Sequence, residues 1–128
     1  MQLWSSPTRI SIVLLLVAVS FAGCGHFSSG KPVNEVNARD ACKTFLEAWK
    51  EGKTPADLKP KITGADHEWA SGEKLVSYEI LPKETSNGTT LYVSARLTLK
   101  SAKGVETKSN ATYAVGTSPV ITVLREEI

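Results

Sequence analysis

The amino-acid sequence predicts an α+β domain in which an N-terminal helix, with a short second helix, packs on a four-stranded antiparallel meander sheet. Three observations carry this prediction. Apolar residues recur at three- and four-residue spacing between residues 38 and 49, apolar and polar residues alternate after residue 74, and turn signals separate the alternating segments. The length of 128 residues allows one such domain. A helix across one sheet face buries the apolar sides of both elements.

The first 23 residues have the pattern of an export signal. A short polar segment with one positive charge, Arg9, precedes residues 10–22, in which only Ser11 and Ser20 are polar. A helix of that length reaches about 20 Å, which is less than the ~30 Å hydrocarbon core of a bilayer. We therefore expect a signal peptide over residues 1–23 and not a spanning anchor.

Two small residues and a cysteine end this segment, in the order Ala22-Gly23-Cys24. They resemble the lipobox of bacterial lipoproteins. The resemblance implies cleavage between Gly23 and Cys24, a diacylglyceryl thioether and an N-acyl chain on Cys24, and attachment to the membrane of the cell envelope through these acyl chains. The alternatives are ordinary signal-peptidase cleavage or an uncleaved anchor. Gly25 is not the aspartate that retains some lipoproteins at the inner membrane, which favours the outer membrane.

Residues 24–33 comprise the lipidated cysteine and a stretch rich in Gly, Ser and Pro, which predicts a flexible tether. The single α+β domain is expected over residues 34–128. The second cysteine, Cys42, lies on the apolar face of the predicted helix, so we expect a buried and inert thiol.

The first element of the domain is an amphipathic helix that Asn34 or Asn37 can cap. Its apolar face is formed by Ala38, Ala41, Cys42, Phe45, Ala48 and Trp49. Gly52 is expected at a left-handed C-cap. Thr54-Pro55 then predicts the start of a second helix, which Pro60 keeps short.

Asn87-Gly88 predicts a hairpin between a strand that begins near Lys74 and a strand over residues 91–100. A two-residue type I′ turn places Glu79 opposite Arg96 on the polar face. On the apolar face it pairs Val76 with Leu99, Tyr78 with Leu97, and Ile80 with Ala95. Pro82 cannot donate to a strand ladder, which indicates an edge strand or a bulge.

A second hairpin is predicted around Ala102-Lys103-Gly104, with the glycine in the left-handed position of a three-residue loop. It pairs Val93 with Tyr113, Ala95 with Ala111, and Lys100 with Glu106. A turn over residues 116–119 leads to the last strand, residues 120–124, whose register the sequence leaves open.

The order of helix, short helix and four hairpin-linked strands resembles the cystatin-like/NTF2-like superfold over residues 35–125. That superfold is a curved sheet wrapped around a long helix, and its enzymes have a pocket between the helix and the concave sheet face. The resemblance implies a candidate pocket with His67, Tyr78 and Tyr113. The protease-binding loop of cystatins has no counterpart in this sequence.

Groups that could perform catalysis are few. His67 with Asp66 or Glu68 is a candidate acid–base pair, and the alternative is a solvated loop anchored by Trp69. Two histidines and one free thiol in the exported chain do not predict a metal site, and no cofactor is expected. A net charge of +2 without a basic stripe argues against binding to nucleic acid.

The sequence thus predicts a non-enzymatic envelope lipoprotein that acts as a binding or interaction module, with an envelope protein or an apolar ligand as partner. Its candidate surface is the polar sheet face with Tyr92, Arg96, Thr98 and Glu79. The alternative is a small NTF2-like enzyme or a protein that binds an apolar ligand between helix and sheet. A buried cavity above roughly 300 Å³ there, with His67 in its wall, would favour that alternative.

Overall fold

A long helix precedes a five-stranded mixed sheet in the computed structural model, which describes residues 31–127. The predicted signal peptide, the cleavage site at Gly23 and the lipidation site at Cys24 lie outside the described residues. The helices are α1 (Glu35–Lys50), a 3-10 helix (Pro55–Leu58) and α2 (His67–Ala70). The strands are β1 (Ile62–Ala65), β2 (Lys74–Ser86), β3 (Leu91–Lys100), β4 (Glu106–Gly116) and β5 (Ile121–Arg125), in the sheet order β1-β5-β4-β3-β2.

Helix α1 has the predicted position and the predicted buried face. The Asn34 side chain caps it by accepting a hydrogen bond of 3.0 Å from the Asn37 amide. Gly52 follows the helix with φ of 84°, a conformation that glycine adopts without a Cβ clash. Leu46 joins the six predicted apolar residues in the core. The prediction of a helix on a sheet is correct at this level, because α1 contacts all five strands.

The prediction of four antiparallel strands is incomplete. Strand β1 pairs in parallel with β5, with Ile62 beside Ile121 and Ala65 beside Leu124. This strand has only four residues, and its partner lies some sixty positions further along the chain. Neither an alternating pattern nor a local turn therefore predicts it. Gly64 permits the close packing, because a Cβ there would lie 2.4 Å from the Phe45 ring.

The hairpin of β3 and β4 has the predicted register throughout. Val93 lies opposite Tyr113, and Lys100 lies opposite Glu106. The loop closes with a hydrogen bond of 2.9 Å from the Ser101 amide to the Val105 carbonyl, and Gly104 has the expected positive φ of 84°.

The hairpin of β2 and β3 differs from the prediction at both ends. Its turn comprises the four residues 87–90, because Ser86 pairs with Leu91 and the Asn87 side chain accepts a hydrogen bond of 2.9 Å from the Thr90 amide. The predicted two-residue type I′ turn is therefore wrong. In the middle of the strand the predicted pairs of Tyr78, Glu79 and Ile80 are correct.

Two irregularities in β2 reconcile the longer turn with the predicted pairs in the middle of the strand. Between Ile80 and Glu84, three residues of β2 face one residue of β3, and this insertion takes up the longer turn. Between Leu75 and Ser77, Val76 is the single extra residue. Leu75 therefore pairs with Leu99 and is buried, whereas Val76 is 41% exposed, which corrects the predicted pair of Val76 and Leu99.

Side chains fill the space between α1 and the sheet. Phe45 packs edge-on against Trp69, with ring centroids 5.0 Å apart, and Trp69 stacks on Trp49 at 5.5 Å. Cys42 is fully buried, and burial raises the pKa of its thiol to about 12, as expected for an inert cysteine. Val33, which was assigned to the tether, already packs against this core.

Candidate functional site

The four residues predicted as an interaction surface lie on the outer face of the sheet, which we define as the face away from α1. Residues of β3 alternate between this face and the core, so Tyr92, Arg96 and Thr98 point outward together. Arg96 Nη1 lies 3.2 Å from Glu79 Oε1 on the neighbouring strand. Both of these side chains are more than half exposed, so the pair contributes little to stability.

A groove lies beside the β2 bulge on this outer face. It consists of two adjoining depressions, of about 360 and 290 Å³. Both are lined by Lys83, Ser94 and Thr112. The first also contacts Leu81 and Asn110, and the second is bounded by Thr85 and Tyr92. We call this continuous feature the outer groove. Its lining combines hydroxyl and amide groups with charged side chains, among them Lys83 in both depressions and Arg125, Glu126 and Glu127 in the first.

The chain after β5 closes one end of the outer groove. The Glu126 amide donates a hydrogen bond of 2.8 Å to the Thr112 carbonyl, which keeps the chain beside β4. Glu127 Oε1 then lies 2.9 Å from Nδ1 of His67, at the start of α2. Both of these side chains are more than half exposed.

The three residues predicted to share a pocket have different surroundings. Tyr113 is completely buried. Tyr78 is partly exposed, and its hydroxyl donates a hydrogen bond of 2.6 Å to Glu47 of α1. Burial, together with the Glu47 carboxylate, raises the pKa of Tyr78 to about 12. His67 lines two solvent-open clefts whose linings include neither tyrosine.

A buried polar cluster surrounds Tyr113 instead, and its centre is Asp66. Asp66 is only 3% exposed. One oxygen of its carboxylate accepts hydrogen bonds from the Tyr113 hydroxyl at 2.6 Å and from Arg125 Nη1 at 3.1 Å. Its other oxygen accepts from the Glu68 amide at 2.8 Å and the Trp69 amide at 3.3 Å. Asp66 is therefore the N-cap of α2 as well as the partner of two strands.

Charge and burial reinforce this cluster. Arg125 Nη2 lies 2.8 Å from Glu68 Oε1, so the guanidinium has two carboxylate partners. Burial alone would lower the pKa of Arg125, but Asp66 and Glu68 outweigh that effect and raise it. Burial and the Asp66 charge strongly raise the pKa of Tyr113. At neutral pH the tyrosine is thus a neutral donor, and the cluster fixes the start of α2 to β4 and β5.

The candidate acid–base pair does not form. Asp66 and Glu68 both turn to Arg125, whereas His67 points away to Glu127. Sequence reasoning missed Arg125 because the register of β5 was open, and that register decides that Arg125 lies opposite Tyr113. For Asp66 itself a signal was available, because an aspartate three positions before Trp69 is a typical N-cap residue of a short helix.

His67 also lines a cleft of about 450 Å³ at the β1 edge of the sheet, together with Pro55, Ala65, Leu124 and Arg125. This cleft is open to solvent, and no residue of α1 lines it or the first depression of the outer groove. It is therefore not the helix–sheet cavity that the enzyme alternative requires. Within residues 31–127 no group of three or more metal-ligating side chains is found. In the same part of the chain no helix is long and apolar enough to cross a membrane.

Comparison with known proteins found no matching family model, no matching curated protein and no matching solved structure.

Proposed function

We propose that this protein is a lipid-anchored module of the bacterial cell envelope, without catalytic activity, that contacts a partner through the outer groove. The observation that carries the proposal is the groove itself, which lies beside the β2 bulge on the sheet face away from α1. Tyr92 lies in its wall, and Arg96, Thr98 and Glu79 extend the same face. These four residues are the ones that the sequence predicts for an interaction surface.

The sequence supports the lipid anchor. Ala22-Gly23-Cys24 follows an h-region that is too short to span a bilayer. Two or three acyl chains on Cys24 would hold the protein durably at a membrane. The envelope of a bacterium is then the location, and Gly25 favours the outer membrane.

The interior supports a binding role over an enzymatic one. A catalytic acid or base needs a free position next to a substrate atom. Asp66, Arg125 and Tyr113 bind one another in the core, and side chains of α1 fill the space where an NTF2-like pocket would lie. The resemblance to the cystatin-like/NTF2-like superfold stays a proposal for the fold, supported by α1 and the four hairpin-linked strands β2–β5.

A two-residue deletion tests the groove. Without Pro82 and Lys83, Leu81 would lie opposite Ser94, and β2 would become regular between Ile80 and Glu84. Because two residues are removed, every side chain keeps its face of the sheet. We expect an unchanged circular dichroism spectrum and loss of the outer groove.

The functional readout is photo-crosslinking in cells of the native organism, with a crosslinking amino acid in place of Tyr92. We expect a discrete adduct that the deletion abolishes. The matched control is the crosslinker in place of Lys43, on the exposed face of α1. Equal adducts from both positions, or an adduct that survives the deletion, would contradict the assignment of the groove.

The anchor has its own test. Cys24→Ser should abolish incorporation of labelled fatty acid and release the protein from membranes into the soluble envelope fraction. Cys42→Ser is the control, since Cys42 is buried in the core, and it should label normally. Membrane retention of Cys24→Ser would overturn the proposed anchor.

A further inference from the structure

The chain enters the domain at one defined end of the sheet. The Val33 amide donates a hydrogen bond of 2.8 Å to the Gly88 carbonyl, in the turn between β2 and β3. The next amide, that of Asn34, donates to Thr117 Oγ1 at 3.0 Å, in the turn between β4 and β5. These two bonds attach the start of α1 to the turn between β2 and β3 and to the turn between β4 and β5.

We call this region the entry end and define it as residues 86–90, residues 116–120 and the first turn of α1. The antiparallel order of β2, β3 and β4 places the loop of residues 101–105 at the opposite end of the sheet. The C-terminal end of α1 lies there as well, since Trp49 Nε1 donates a hydrogen bond of 2.8 Å to the Glu73 carbonyl, just before β2.

The distance from Cys24 to the entry end is limited by the chain. Val33 is nine residues after Cys24. At 3.3–3.6 Å per residue, the fully extended chain spans at most about 32 Å. With acyl chains on Cys24, the tether therefore limits how far the entry end can lie from the lipid, whereas the opposite end can lie further away by the length of the strands.

The composition of the entry end fits a lipid surface. Its two turns, residues 86–90 and 116–120, contain no charged residue, whereas residues 100–106 at the opposite end contain Lys100, Lys103 and Glu106. Two of the exposed large apolar side chains, Val36 at 62% and Val120 at 52%, also belong to the entry end. Close approach of these two turns to headgroups therefore requires no desolvation of an ion. The charge within the entry end is Glu35 in the first turn of α1, which pairs with Arg39 at 3.3 Å.

We propose, on the basis of the lipid anchor proposed above, that the entry end is the face of the domain that rests on the membrane. The strands then rise from the lipid surface, and the opposite end, with its lysines, points away from the bilayer. The outer groove opens sideways and stays accessible to a partner.

The test attaches the chain that begins at Cys24 to lipid nanodiscs by chemical coupling, so that it does not depend on acylation in cells. All core residues of the described chain lie between Ala38 and Val123, so this form retains the whole core. The discs contain phosphatidylethanolamine, phosphatidylglycerol and a maleimide-headgroup lipid that reacts with Cys24, whereas Cys42 is buried and does not compete. A second lipid carries a nitroxide on its headgroup, and amide signals are followed by NMR.

We expect paramagnetic broadening at residues 86–90 and 116–120 at least threefold stronger than at residues 101–105. The control is Cys24→Ser with Lys103→Cys, coupled through the opposite end, which should lose most of the broadening at the entry end. In the Cys24-coupled protein, Thr89→Glu with Val120→Glu should lower the broadening at the entry end at least twofold.

Uniform broadening over the domain, or stronger broadening of the groove residues Ser94 and Asn110, would overturn the inference. So would an unchanged pattern in the double Glu variant, because the neutral surface would then have no effect on orientation. A failure of fatty-acid labelling at Cys24 would instead contradict the proposed anchor and leave the nanodisc result unaffected, so the two failures are distinguishable.

Discussion

The two hairpins that share β3 differ in regularity and in what they contribute. The hairpin of β3 and β4 pairs without interruption from Leu91 to Lys100 and presents Tyr113 to the buried polar cluster. The hairpin of β2 and β3 has two irregularities, and residues of one of them line the outer groove. The regular hairpin therefore supplies interior stability, and the irregular one supplies the candidate contact surface.

The difference also shows how the number of inserted residues decides which side chains are buried. Side chains alternate between the sheet faces, so one extra residue exchanges the faces and two extra residues preserve them. Val76 is a single insertion, and Leu75 takes the core position in its place. The insertion near Pro82 adds two residues, and the strand on both sides of it keeps the same faces.

The largest loss of stability is expected from a variant that breaks the polar cluster around Tyr113 of the regular hairpin. Asp66→Asn keeps a side chain that can cap α2 but leaves Arg125 and Tyr113 without their carboxylate. Removal of one partner from a buried ion pair costs about 3–5 kcal/mol, and we expect the lower end of this range because Glu68 still faces Arg125. Urea denaturation followed by tryptophan fluorescence measures the loss.

The matched control for that variant is Glu79→Gln, which breaks the exposed pair with Arg96. We expect a loss below about 1 kcal/mol. Similar losses in the two variants would contradict the distinction between the buried cluster and the outer face.

The second effect tests the bulge at Val76. Leu75→Ala should destabilise the protein by about 2–5 kcal/mol, because Leu75 is 3% exposed and its truncation leaves a cavity. Val76→Ala should cost less than about 0.5 kcal/mol, because Val76 points to solvent. A larger loss for Val76→Ala than for Leu75→Ala in thermal unfolding would contradict the bulge at Val76 and favour the pair of Val76 with Leu99.

A third and smaller loss of stability is expected from substitutions in the turns of the two hairpins. Gly88 and Gly104 both have positive φ, 101° and 84°, although their loops differ in length. Alanine at either position should cost about 1–2 kcal/mol, because an L side chain is strained in the left-handed region. Lys103→Ala is the control in the same loop and should be nearly neutral, and an equal loss there would contradict the role of backbone conformation.

The smallest effect concerns the pair that joins the bulged strand to α1. The Arg39 guanidinium donates hydrogen bonds to both oxygens of Glu84, and these bonds lower the pKa of Glu84 although partial burial acts to raise it. A lowered pKa in the folded state gives stability that is present above the ordinary value of about 4.3 and is lost as the pH falls through the folded value.

Glu84→Gln should therefore reduce the difference in urea midpoint between pH 7 and pH 3. Glu106→Gln, which is exposed on the regular hairpin, is the control and should leave that difference nearly unchanged. A full pH dependence in Glu84→Gln would show that other carboxylates account for it.

Local patterns in the sequence account for much of the fold. The spacing from Ala38 to Trp49 predicts α1, and Gly104 with the alternation on either side predicts the β3–β4 register in full. The Asn87-Gly88 signal predicts a hairpin but not its loop length, because Thr89 and Thr90 extend the turn through hydrogen bonds to the Asn87 side chain. The polar face with Tyr92 and Arg96 is likewise predictable, whereas the groove in it depends on where the bulge falls.

By itself the sequence determined the α+β class, the amphipathic helix and the second hairpin, since each depends on neighbours along the chain or on one turn. The predicted pairing of Glu79 with Arg96 holds because the β2 bulge compensates for a turn that is longer than predicted. Only the tertiary structure decided that β1 joins β5, that Asp66 meets Tyr113 and Arg125, and that His67 turns to the surface. Those contacts join segments some fifty to sixty positions apart. Their partners are selected by packing around Phe45 and Gly64, which no local pattern describes.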